Sequence, residues 1–141
     1  MKSKTQPKSF PPNKKDARAF KATLVAIEEC LAKPAYDYQR IIICHSTRPE
    51  LGPALALCSG AVQADPADLA HSGRTPSVLV VENAGHWNAK RLQSIVYLVN
   101  QTRNVVVILA SVRCVTKWQE RHREISAQIR RRTHITIEFA I

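Results

Sequence analysis

The eleven residues Val78-Leu79-Val80-Val81-Glu82-Asn83-Ala84-Gly85-His86-Trp87-Asn88 constrain the fold of this chain more than any others. Four consecutive apolar residues, most of them β-branched, suit a strand buried on both faces of a parallel sheet, not an alternating surface strand. Glu82 stands at the C-terminal tip, the end at which open α/β sheets keep their ligand chemistry. A helix pattern follows within a few residues.

The same grammar recurs along the chain. From Asp16, read as the N-cap, Phe20, Leu24, Ile27 and Leu31 make a helix stripe that ends before Pro34. Arg40 to Cys44 reads as a buried strand, His45 to Pro49 as a loop, and Glu50 to Cys58 as a short helix. Ala61 to Ala64 reads as a second strand, and Asp65 to Leu69 as a helical turn. Strand 77–81 leads to a helix near 88–101 with Leu92, Ile95, Val96 and Val99 on one face. Val105 to Leu109 is another buried strand. Val115, Trp118, His122, Ile125 and Ile129 form one stripe on a helix over 115–130. Thr133 to Phe139 alternates Ile135, Ile137 and Phe139 inward, as an edge strand does. Tyr36 and Tyr38 read as packing residues at the entry to the first strand. Apolar runs alternating with helix patterns give βα units and a parallel sheet. The expected architecture is an α/β three-layer sandwich with a mainly parallel sheet of about five strands.

Length and composition agree. A chain of 141 residues, 45% hydrophobic, suits one domain with its own core. No apolar run approaches the roughly 20 residues of a membrane span. Pro7, Pro11 and Pro12 stand where a signal peptide would need an apolar stretch. Cys30, Cys44, Cys58 and Cys114 form no C-x-x-C pair and read as reduced core thiols of a cytoplasmic protein. The five histidines are equally dispersed.

The formal net charge of +10 is concentrated at two places. Residues 1–21 hold Lys2, Lys4, Lys8, Lys14, Lys15, Arg18 and Lys21 against Asp16 alone. Residues 113–132 hold seven cations, Arg130, Arg131 and Arg132 adjacent among them, against Glu120 and Glu124. Two basic segments on a neutral body form a footprint for a polyanion, nucleic acid first. Residues 1–15 lack apolar periodicity and read as a flexible basic arm, leaving 16–141 as the folded domain.

From Phe20 onward, the order of elements and the Val78–Asn88 unit resemble the nucleotide-binding core of AAA-type P-loop ATPases, most of all the transposition regulators of the MuB/TnsC family. The resemblance implies that Val78 to Asn88 corresponds to the Walker B strand and the start of its helix. It implies that Val105 to Ser111 is the strand carrying sensor 1, and that Ile125 to Ile137 is the segment where an arginine finger precedes the last strand. The departures from the family pattern are chemical. A working P-loop needs G-x-x-x-x-G-K-[ST], whose backbone N–H groups and lysine hold the phosphates. Here the first strand is followed by His45-Ser46-Thr47-Arg48-Pro49-Glu50-Leu51-Gly52-Pro53, and Gly-Lys-Ser/Thr occurs nowhere. Pro49 and Pro53 remove donors, and Glu50 repels a triphosphate. Glu82 replaces the metal-holding Asp, and Asn83 replaces the Glu that would act as base. Ser111 stands at the sensor position, and Ala127-Gln128-Ile129 at the finger.

The resemblance thus implies a RecA/AAA-like core lacking a functional P-loop: a pseudo-ATPase with Glu82 and Asn83 as a degenerate Walker B, no catalytic residue, no metal and no cofactor. The expected role is a non-hydrolysing accessory protein in DNA transposition, replication or a mobile element. Lys2, Lys4, Lys8, Lys14, Lys15, Arg130, Arg131 and Arg132 are the expected contacts to the DNA backbone, which they would grip without reading sequence. A protein partner is expected as well, an active AAA ATPase or a second copy, and no membrane. Two other readings stand beside this one: an adaptor whose positive charge meets an acidic protein, and an enzyme using Glu82 with a divalent metal. A site built from His45, Glu82 and His86 matches no known ligand spacing.

Overall fold

The computed structural model describes residues 11, 13–70, 76–82 and 88–140. In chain order the elements are α1 (Lys14–Leu31), β1 (Ile41–His45), α2 (Leu51–Ser59), β2 (Val62–Gln63), α3 (Pro66–Ala70), β3 (Val78–Glu82), α4 (Ala89–Thr102), β4 (Val105–Leu109), α5 (Val112–Arg121), α6 (Arg123–Arg131) and β5 (Thr133–Glu138). The five strands form one sheet in the order β2-β3-β4-β1-β5, and every pairing is parallel.

Alternate side chains of β1, β3 and β4 enter two cores, which is why these three strands read as unbroken apolar runs. Ile42, Cys44, Val80, Val107 and Ile137 meet Ala26, Ile27 and Cys30 of α1 and Leu51 and Leu55 of α2. Ile41, Ile43, Leu79, Val81 and Ile108 meet Leu92, Ile95 and Val99 of α4, with Trp118 of α5 and Ile129 of α6. Helices therefore cover both faces, as expected of a three-layer sandwich.

Strand order fixes the site. The connection from β1 to β2 runs one way along the sheet, and the connection from β4 to β5 runs the other. Right-handed crossovers put α2 and the α5–α6 pair on opposite faces. The crevice opens between them, beyond the C-terminal tips of β1 and β4.

Several local expectations change. α1 begins at Lys14, because Asn13 is its cap: Asn13 Oδ1 accepts from the Asp16 amide at 2.8 Å. Asp16 is thereby carried into the third helical position, and Lys14 and Lys15 belong to the first turn and not to an arm. The single helix expected over 115–130 is two, broken at His122. Sixteen helical residues would span ~24 Å, longer than a five-residue strand at ~17 Å, so one straight helix would overshoot the sheet. Ile135 is in register with buried Ile42 yet 40% exposed, since β5 is an edge and carries His134 as an extra residue against Ile41 and Ile42. Cys30 and Cys44 are buried thiols as expected, whereas Cys58 is exposed on α2. None of the helices is long and apolar enough to cross a membrane among the described residues.

Candidate functional site

At the C-terminal edge of the sheet, Glu82, Leu109 and Cys44 lie side by side in register. Beyond them, Ser46, Thr47, Arg48, Pro49, Glu82, Leu109 and Ser111 line a cavity of about 240 Å³. It occupies the crevice that the topology predicts. The β1–α2 loop enters it without a glycine-rich turn, and its one cation, Arg48, is paired with a carboxylate of α1. Arg48 Nε stands 3.1 Å from Oδ2 of Asp16. Asp16 is fully buried and also accepts from the Ala140 amide at 2.7 Å, so it clamps the loop, α1 and the end of β5 together.

Glu82 is also engaged. Gln63 Nε2 donates to Glu82 Oε2. A Cβ on Gly52, in the first turn of α2, would come within 2.7 Å of that same carboxylate oxygen. Glycine at position 52 thus leaves room for a carboxylate against the helix N-terminus, which favours negative charge there. The acid expected from the resemblance as Walker B thus lies against the first turn of α2. Ser111 caps α5, its Oγ accepting from the Cys114 amide at 3.2 Å. His45 Nδ1 donates to the Ala110 carbonyl at 2.9 Å, which fixes its tautomer. His45 and Glu82 share this edge, while Asn83, His86 and Trp87 lie outside the described residues. No cluster of three His, Cys, Asp or Glu side chains suited to a metal occurs among the described residues.

The basic residues divide between the two ends of the sheet. Lys14 and Lys15 are exposed at the start of α1, on the C-terminal edge, and Lys2, Lys4 and Lys8 lie outside the described residues. Arg130 and Arg131 are exposed at the end of α6, on the N-terminal edge, where the chain turns into β5. Arg132 is spent on structure: its Nε donates to Asn100 Oδ1 at 2.8 Å and its guanidinium to the Gln128 carbonyl at 2.9 Å, tying α6 to α4. The expected triple cluster is therefore a pair of free arginines beside one anchored arginine. A five-residue strand, ~17 Å, separates it from Lys14 and Lys15.

Sequence reasoning missed Arg40. It is 5% exposed, and its guanidinium donates to the carbonyls of Cys30, Lys33, Pro34 and Asp37 at 2.9–3.1 Å. It satisfies the orphan carbonyls where α1 ends, favoured by the helix dipole. A cation a few residues past a helix end, before a strand, was the available signal. Tyr36 and Tyr38, expected to pack, are exposed, and Arg103 covers the Tyr38 ring at 4.6 Å from its centroid.

No protein-family model matches the sequence, and no curated protein matches it either. Among solved structures, a chain described as "Crystal structure of the DnaC helicase loader" is similar at a TM-score of 0.53, with 13% identity over 95% of each chain. The fold is that of a P-loop NTPase-like core. At this identity the likeness is one of fold. It supports the P-loop NTPase-like fold expected from the sequence and carries nothing particular to the MuB/TnsC regulators.

Proposed function

We propose that the chain is a non-hydrolysing AAA-like accessory protein that binds the DNA backbone and a protein partner, in transposition, replication or a mobile element. The observation that carries this reading is the phosphate-receiving end of the crevice. The loop after β1 has no Gly-Lys, its Arg48 is bound to Asp16, and the Glu82 carboxylate rests against Gly52. A magnesium nucleoside triphosphate does not fit these residues: it would meet two prolines in place of donors and a carboxylate in place of a lysine. A neighbour described as a helicase loader is in keeping with a role alongside nucleic acid and a protein assembly. Exposed Arg130 and Arg131, with Lys14 and Lys15 at the other end, supply the backbone contacts.

The adaptor reading keeps one observation of its own. Leu57 is 86% exposed on α2 and Val62 43% exposed on the adjoining edge strand β2, apolar surface of the kind a protein partner covers. An active AAA ATPase and a second copy of the chain are the candidate partners.

The test is a fluorescence-anisotropy titration of labelled duplex DNA at several salt concentrations, with and without MgATP. Affinity that falls steeply with salt and ignores MgATP is the expected result. An ATP-dependent gain overturns the non-nucleotide reading. Absence of binding at low salt gives the lead to the adaptor.

A further inference from the structure

Three chain segments meet at the N-terminal edge of the sheet: the α1–β1 loop, the end of α4 and the end of α6. Arg103 Nε donates to the Ala35 carbonyl at 2.6 Å, Gln39 Nε2 to the Arg131 carbonyl at 3.4 Å, and Arg132 Nε to Asn100 Oδ1 at 2.8 Å. Buried Arg40 fixes the α1–β1 loop from beneath through its four carbonyl partners. On this braced surface Tyr36 is 79% exposed. Beside it, the Arg103 guanidinium lies over Tyr38 and donates to the Tyr38 hydroxyl at 3.3 Å.

An exposed aromatic ring on a braced loop presents an open π-face on which a base can stack. Arg103 also adopts φ 56, left-handed backbone that costs a non-glycine residue energy and is kept here by its contacts. Asp37 pairs with Lys33 at 3.7 Å and Glu29 hydrogen-bonds His134 at 2.9 Å, which leaves Glu28 and Glu29 as carboxylates set against the arginines of this edge. Arg103, Arg130 and Arg131 make no ion pair among the described residues. The edge is therefore a net cationic surface with an open aromatic face.

We propose that this edge takes an unpaired nucleic-acid strand, a base stacked on Tyr36 and the flanking phosphates on exposed Arg130 and Arg131, while Arg103, committed to Ala35, Asn100 and Tyr38, braces the loop. The proposal rests on the nucleic-acid reading above and adds which form of nucleic acid is held, and where. Stacking on an exposed ring needs a free base face, which an unpaired base offers and a duplex withholds. Arginine contributes backbone attraction and stacks on aromatic planes, as Arg103 already does. Unpaired DNA and unpaired RNA share this chemistry.

The test uses the full chain with labelled oligo-dT, oligo-U and a duplex of equal length, read by anisotropy. Single strands bind more tightly than duplex, and Tyr36→Ala weakens them about tenfold while leaving duplex affinity unchanged. Tyr36→Phe, which keeps the ring, retains single-strand affinity. Arg130→Ala with Arg131→Ala lowers the single-strand salt slope by about 1.4. Tighter dT assigns DNA and tighter U assigns RNA, and each supports the proposal if Tyr36 governs it. Equal single-strand affinity for Tyr36→Ala and the wild type overturns it. If the arginine variants then still weaken duplex binding, the backbone reading survives on its own. Failure of every oligonucleotide to bind overturns both. Because Tyr36 is exposed, an unchanged melting temperature certifies the fold of its variants.

Discussion

The guanidinium Nε of Arg48 stands 3.1 Å from Oδ2 of Asp16, a carboxylate with no exposure to solvent. The pair joins the β1–α2 loop to the first turn of α1, and it spends on structure the one cation of the loop that corresponds to a phosphate cradle. Removing one partner of a buried pair leaves the other charge uncompensated. Arg48 is one-third exposed, so water offsets part of that loss. Arg48→Met is expected to destabilise by about 1–3 kcal/mol in urea unfolding. An unchanged midpoint would show that the Ala140 and Asn13 contacts hold Asp16 unaided.

Gly52 and Glu82 should be coupled. Alanine at 52 would gain up to about 1 kcal/mol of helix propensity, but its Cβ would come 2.7 Å from the Glu82 carboxylate. The expected outcome is that Gly52→Ala stabilises the Glu82→Ala background more than the native one. A double-mutant cycle with a coupling energy near zero would place the carboxylate away from α2.

Arg40 is the largest polar commitment in the core-facing part of the fold. Arg40→Met leaves the carbonyls of Cys30, Lys33, Pro34 and Asp37 without their donor and should cost about 2–4 kcal/mol. Arg40→Lys should recover only part, since an ammonium cannot reproduce the planar fork. Full recovery by lysine, read from the unfolding midpoint, would argue that charge alone matters there.

Burial pushes the thiol of Cys30 up to about 11 and that of Cys44 up to about 12, from an ordinary 9.0. Above about pH 9 the unfolded chain gives up protons that the folded chain keeps, so stability falls as pH rises. The thiol contribution is complete below that pH and is lost on the way through the folded values. Each thiol adds a slope of about 1.4 kcal/mol per pH unit in that window. Cys30→Ala with Cys44→Ala should flatten the alkaline fall measured between pH 8 and 10.5, and an identical fall would refute the assignment. Exposed Cys58 should be alkylated before either buried thiol.

The parts of this fold that were legible in the sequence are those written in unbroken apolar runs. Ile41 to Cys44, Val78 to Val81 and Val105 to Leu109 declare parallel strands covered on both sides, and the α4 stripe of Leu92, Ile95, Val96 and Val99 is buried as read. What stayed hidden depends on partners distant in the chain. Asp16 looks like a cap until Asn13 takes that role and Arg48 and Ala140 arrive. Arg40 and Arg132 count as free charge in any tally of cations, though carbonyls and Asn100 consume them. The stripe from Val115 to Ile129 keeps a helical period through a break that only the height of the sheet imposes. Tyr36 carries no sign in the sequence that its ring is left outside.

The extra residue His134 in β5, bound to Glu29 on α1, has a consequence for behaviour in concentrated solution. An edge strand offers a row of unpaired amides and carbonyls to any passing strand, and Ile135 would add apolar grip. The one-residue slip against β1 bends that row and puts its spacing out of step with a regular strand. Another chain that tried to zip alongside would meet the break at His134 and find regular spacing only from Ile135 to Glu138. The irregularity thus shortens the stretch open to strand addition, on the side of the molecule where the basic end of α6 feeds into the sheet.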